Sequence, residues 1–121
     1  MYKVLIADKL SEEAVKIFKD NGIETVVKTG LSEDELIKEL ETCDVLVVRS
    51  ATKPNKKIIE KSKRLKVIGR AGIGVDNIDL DAATNNGKVV MNTPFGNSIT
   101  TAEHAITLLL SLSLIHISEP T

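Results

Sequence analysis

Three short strings hold most of the residues that could do chemistry. They are Arg49-Ser50-Ala51-Thr52-Lys53, Arg70-Ala71-Gly72-Ile73-Gly74-Val75-Asp76-Asn77 and Asn92-Thr93-Pro94-Phe95-Gly96-Asn97-Ser98. Arg49 offers a planar fork of donors that matches a carboxylate or a phosphate. Ser50 and Thr52 add hydroxyls ahead of a helix expected to start near Pro54, whose first N–H groups favour an anion. Gly72 and Gly74 let the backbone approach a ligand with no Cβ in the way. Asn97 can donate and accept at once. Together the strings read as a pocket for a small acid, phosphorylated or not.

Taken singly, each feature has a plainer reading. An Arg at a strand end is usually a surface charge, and Gly-x-Gly is commonly a tight turn. Asn97 or Ser98 can simply cap a helix. His104, in mid-helix, suits packing or an interface better than base chemistry. Cys43 is the single cysteine, so no intramolecular disulfide is possible, and with no histidine near it in sequence it reads as inert. Asp76 and Asp79 suit a turn and a helix cap. The sequence holds no metal-ligand cluster and no nucleophilic triad, and no residue of this chain is assigned a catalytic role.

The loops gain weight from the elements that must position them. Strand-like runs at 3–7, 23–27, 44–48, 65–68 and 88–91 alternate with helical patterns. Ser11 stands at an N-cap before Glu12 and Glu13, and Asn21-Gly22 closes that helix. Ser32-Glu33-Asp34-Glu35 fits a capping box. Pro54 suits the first position of a third helix. A short helix over about 78–84 follows, and the last, over about 98–110, is entered through Thr100-Thr101-Ala102-Glu103, a second capping-box pattern. Asp44-Val45-Leu46-Val47-Val48 shows no polar alternation and reads as a central strand buried on both faces. The alternation predicts an α/β fold, a flavodoxin-like doubly wound parallel five-stranded sheet of order 2-1-3-4-5 with right-handed crossovers. In such sheets ligands bind outside the carboxyl ends of the strands, where all three strings fall.

Two familiar motifs fail on inspection. Gly72-x-Gly74 follows a strand, but the third glycine of a dinucleotide fingerprint would fall at Asn77, and the fingerprint belongs after a first strand rather than a fourth. A phosphoacceptor receiver needs an aspartate ending strand three, where Arg49 stands.

Composition narrows the class. The 121 residues suffice for one domain of ordinary size, and with 42% apolar but only 2% aromatic residues the core must be Val, Ile, Leu and Ala. Sixteen basic against seventeen acidic residues leave no global field to draw nucleic acid or anionic lipid, so any anion site is local. The longest apolar stretch, 105–115, is too short for a bilayer, and the first residues lack a signal-peptide layout. A cytoplasmic protein is expected.

Read jointly, the segments 48–53, 68–79 and 90–98 resemble the D-3-phosphoglycerate dehydrogenase group of the D-isomer-specific 2-hydroxyacid dehydrogenases, and the similarity runs over residues 1–111. The resemblance implies a substrate-binding domain whose parent oxidises 3-phospho-D-glycerate with NAD at the entry to serine synthesis, and which forms homo-oligomers. It implies that Arg49 and Ser50 hold the substrate's anionic groups and that the backbone of Ala71, Gly72, Ile73 and Gly74 binds its carboxylate. Asn97 would line the same cleft, and Ile73 with Glu103 would touch NAD from across it. The family's catalytic arginine, glutamate and histidine and its Rossmann cofactor domain match nothing in this chain, so the chain is expected to stop short of them and to be inactive alone. Residues 112–121 depart from the family pattern and read as a non-native tail, similar to a translated sequencing adapter. Two other readings stay open: a fragment of a glyoxylate, hydroxypyruvate or other 2-hydroxyacid reductase, and a non-catalytic module that binds small acids.

Overall fold

The computed structural model describes residues 2–49, 51–71, 78–93 and 98–118, with side chains described as far as 112. Its five strands are β1 (Lys3–Ile6), β2 (Glu24–Val27), β3 (Val45–Val48), β4 (Val67–Ala71) and β5 (Val89–Thr93). The helices are α1 (Glu12–Asp20), α2 (Glu33–Leu40), α3 (Lys56–Lys61), α4 (Leu80–Asn85) and α5 (Ser98–Ser118). All strand pairings are parallel, in the expected order β2-β1-β3-β4-β5.

Alternate side chains of the strands feed two cores, one on each face of the sheet. Val4, Ile6, Val45, Val47 and Val67 pack with Phe18 of α1 and with Ala102, Ala105, Ile106 and Leu109 of α5. Leu5, Leu46, Val48 and Ile68 pack with Leu36 and Leu40 of α2, Ile58 and Ile59 of α3, and Ala82 and Ala83 of α4. β3 is buried at every residue, as its unbroken apolar run requires.

Local chemistry sets most boundaries. Ser11 Oγ accepts from Ala14 N at 3.3 Å and caps α1. The capping box of α2 is complete: Ser32 Oγ accepts from Glu35 N at 3.3 Å, and Glu35 Oε1 accepts from Ser32 N at 3.2 Å. Asp79 caps α4 through Ala82 N at 2.9 Å.

Four expectations change. α3 begins at Lys56 instead of Pro54, because Asn55 Oδ1 accepts from Ile58 N at 3.0 Å and becomes the N-cap; a side-chain acceptor outweighs a proline's preset φ. α5 begins at Ser98, so Thr100–Glu103 lies inside the helix and forms no cap. It also continues to Ser118, past the expected end near 110, since no glycine or proline interrupts the sequence before Pro120. Strands β4 and β5 sit one to three residues later than their apolar runs suggest, because the ladder continues through Arg70–Asn92 and Ala71–Thr93.

Candidate functional site

With every strand parallel, Ile6, Val27, Val48, Ala71 and Thr93 end at one edge of the sheet. Val48 is in register with Arg70 and Arg70 with Asn92. Arg49 and Ala71, the next residues in sequence, therefore both follow the registered pair Val48 and Arg70 at that edge. Arg49 is exposed, while Ala71 is a buried strand residue in register with Thr93. Ser50, Gly72, Ile73, Gly74 and Asn97 lie outside the described residues, as does Asp76. Glu103 is exposed on α5, where it lines a groove with Ile17 of α1 and Asn21, the residue that caps α1.

The loop after β3 is organised by Asp8, which stands just after the first strand-like run and to which the sequence assigns no role. Asp8 is only 7% exposed. Its Oδ2 accepts from Arg49 N at 2.6 Å and from Thr52 N at 3.0 Å, and its Oδ1 accepts from the Thr52 hydroxyl at 2.6 Å. A buried carboxylate must find donors, and this one takes all three from a segment more than forty residues away. The expectation that the Thr52 hydroxyl serves a ligand changes accordingly, because its proton is already donated to Asp8. The one available signal was an acidic residue directly after a buried strand, at the edge where such sheets bind ligands.

Asp8 and Thr52 also line a cavity of about 260 Å³ with Lys53, Asn55 and Glu33. Glu33 Oε2 accepts from Asn55 Nδ2 at 3.0 Å, and Lys57 Nζ lies 3.3 Å from its other oxygen. The Asn55 bond first, then Lys57, hold the Glu33 carboxyl below its ordinary range.

Polar side chains continue along the edge into β4 and β5. Arg70 is 8% exposed, on the face that Ile68 and Val90 give to the α2–α3–α4 core. Asn92 Oδ1 and Thr93 Oγ1 are buried without a hydrogen-bond partner among the described residues. Such atoms cost about 1–3 kcal/mol each when nothing satisfies them, so this end of the sheet is built for polar company.

The opposite edge is occupied by structural polar contacts. Asp44, at 2% exposure, accepts from Lys3 N at 3.0 Å and from Arg64 Nε at 3.2 Å. The Lys88 ammonium donates to Ser62 O at 2.7 Å and Leu65 O at 2.8 Å, and burial lowers its pKa. Cys43 is buried, donates to Glu39 O, and has its thiol pKa raised by burial, as suits an inert thiol. His104 is exposed on α5. Among the described residues no cluster of His, Cys, Asp or Glu could hold a metal ion, and no helix is long and apolar enough to cross a membrane.

Residues 4–114 match the family described as D-isomer specific 2-hydroxyacid dehydrogenase, catalytic domain. The chain is 55% identical over 109 residues to a D-3-phosphoglycerate dehydrogenase of Archaeoglobus fulgidus, covering 90% of this chain and 21% of the relative. It is 50% identical over 111 residues to the human protein of the same name, covering 92% and 21% respectively. Among solved structures, the NAD+-bound 3-phosphoglycerate dehydrogenase of Entamoeba histolytica superposes with a TM-score of 0.70 at 34% identity, over 77% of this chain and 33% of that one. The chain thus spans about a fifth of the length of the curated relatives it matches. It belongs to the D-isomer specific 2-hydroxyacid dehydrogenases, to their catalytic domain.

Proposed function

We propose that this chain is the substrate-binding part of an NAD-dependent D-3-phosphoglycerate dehydrogenase, the enzyme that opens serine synthesis by oxidising 3-phospho-D-glycerate to 3-phosphohydroxypyruvate. The observation that carries the reading is the carboxyl edge of the sheet, where Arg49 stands exposed on a loop pinned from behind by Asp8. In this reading Arg49 and Ser50 hold the substrate's anionic groups. The backbone of Ala71, Gly72, Ile73 and Gly74 takes the carboxylate, and Asn97 lines the cleft. Homo-oligomers of the intact enzyme belong to the same reading.

The described residues do not make a dinucleotide cradle. The turn after β1, where such sheets hold a pyrophosphate on backbone N–H groups, contains no glycine and places a buried carboxylate, Asp8, at that point. When bound, NAD would accept the hydride from the substrate carbon. This chain's residues bind and orient the acid, with Ile73 and Glu103 assigned at most a flanking contact. The 121 residues by themselves are accordingly inactive.

Joining residues 1–111 to the remainder of the Archaeoglobus fulgidus relative tests the reading. The joined enzyme should form NADH from 3-phosphoglycerate, while the 121-residue chain should form none. A joined enzyme that folds, binds NAD and prefers glyoxylate or hydroxypyruvate reduction would move the assignment to another member of the family. Micromolar binding of 3-phosphoglycerate by the chain, with an inactive joined enzyme, would favour a binding module.

A further inference from the structure

Resting on that reading, we propose that Asp8 is the positioning residue of the substrate loop. It is an internal anion that fills the loop's own donor nest and so fixes where Arg49 stands. Successive N–H groups in a turn form a concavity that attracts anions. Here the amides of Arg49 and Thr52 and the Thr52 hydroxyl converge on one carboxylate supplied by the chain itself, at 2.6, 3.0 and 2.6 Å. An outside anion cannot take these donors while Asp8 holds them.

The contacts are long-range, with 41 residues separating Asp8 from Arg49 and 44 separating it from Thr52, so they are no local turn device. They tie the end of β1 to the start of the loop beyond β3. Asp44, a buried carboxylate at the far edge, is paired with the Arg64 guanidinium. Asp8 forms no ion pair with a lysine or arginine among the described residues, and hydrogen bonds from one loop hold its charge. The arrangement uses a buried charge to fix the loop at Arg49 and at Thr52. Ordering them before the substrate arrives removes a cost that binding would otherwise carry.

If Asp8 acts through Arg49, its effect on ligand binding must vanish when the Arg49 side chain is absent. The experiment is a double-mutant cycle in the 121-residue chain, with amide spectra for the loop and calorimetry with 3-phosphoglycerate for affinity. Asp8→Asn keeps the shape but turns an acceptor oxygen into an NH2 donor. It should shift the Arg49 and Thr52 amide resonances and speed their exchange, while the amides of β3 stay protected. It should weaken 3-phosphoglycerate binding about tenfold, the size of a lost charge-assisted hydrogen bond. On an Arg49→Ala background the same change should alter affinity by less than about twofold.

Thr52→Val, which removes one donor and leaves the carboxylate, should act in the same direction and covers the case in which Asp8→Asn does not fold. An additive loss on the Arg49→Ala background would overturn the proposal, as would full affinity in Asp8→Asn. Absence of any 3-phosphoglycerate binding by the unsubstituted chain fits the proposed function, in which this chain builds only part of the cleft. The loop amides would then decide for Asp8, and unchanged Arg49 and Thr52 resonances in Asp8→Asn would sink it.

Discussion

Gly69 of β4 and Thr101 of α5 meet so closely that a Cβ on Gly69 would lie 3.3 Å from Thr101 Cγ2. α5 follows in sequence the segment that carries Asn97, and it packs on β4. Gly69 is in register with Val47 and Met91, in the middle of the sheet, where a displaced helix would be felt at the edge.

Gly69→Ala should therefore destabilise the chain by about 1–3 kcal/mol, the usual range for overpacking a filled core. Thr101→Ser, which removes the methyl in the way, should recover part of that loss in the double variant. Urea unfolding of the two single variants and the double one measures both. Equal or greater stability of Gly69→Ala alone would show that the helix has room to move.

The capping box of α2 offers a local test. Ser32→Ala removes the acceptor for Glu35 N and should cost about 1 kcal/mol, whereas Ser32→Gly should cost only a few tenths. The same box holds the Glu35 carboxyl below its ordinary range, chiefly through the Ser32 backbone N–H. Its contribution is thus present above the unfolded glutamate value of about 4.3 and fades as pH falls through the lower folded value. The stability gap between the unsubstituted chain and Glu35→Ala should shrink on acidification.

Lys88 behaves in the opposite direction. Burial lowers its pKa in the folded chain, so between that value and the unfolded lysine value of about 10.4 the unfolded state binds more protons. Stability contributed by Lys88 should rise with pH across this alkaline window. Lys88→Met should cost about 1–3 kcal/mol at neutral pH by stranding the carbonyls of Ser62 and Leu65. The difference between the two proteins in urea should widen as pH rises towards the unfolded lysine value of about 10.4. A difference that narrows as pH rises would mean the ammonium gains more from those carbonyls than burial costs it.

Much of this architecture is legible in the residues themselves. β-branched runs such as Val45–Val48 announce a sheet buried on both faces, and Ser11, Ser32 and Asp79 mark helix starts by contacts spanning three residues. What escapes sequence reading are polar contacts made across the fold. The Asp8 carboxylate meets its donors only after β1 and β3 pair, and Lys88 finds the carbonyls of Ser62 and Leu65 only once β5 lies beside β4. Pro54 misled because proline tolerance at a helix start is weaker than a side-chain acceptor one residue later. Arg49 was visible as a candidate, but the group that holds its backbone was not.

Selectivity for phosphate in the joined enzyme tests the central claim most directly. kcat/KM should be measured for 3-phosphoglycerate and for D-glycerate, with Arg49 and with Arg49→Ala. Loss of a charge-assisted contact to an anionic group should lower kcat/KM for the phosphorylated substrate by about 10- to 100-fold, with a much smaller change for D-glycerate. An equal loss on both substrates, or none on either, would contradict the placement of the phosphorylated acid at Arg49.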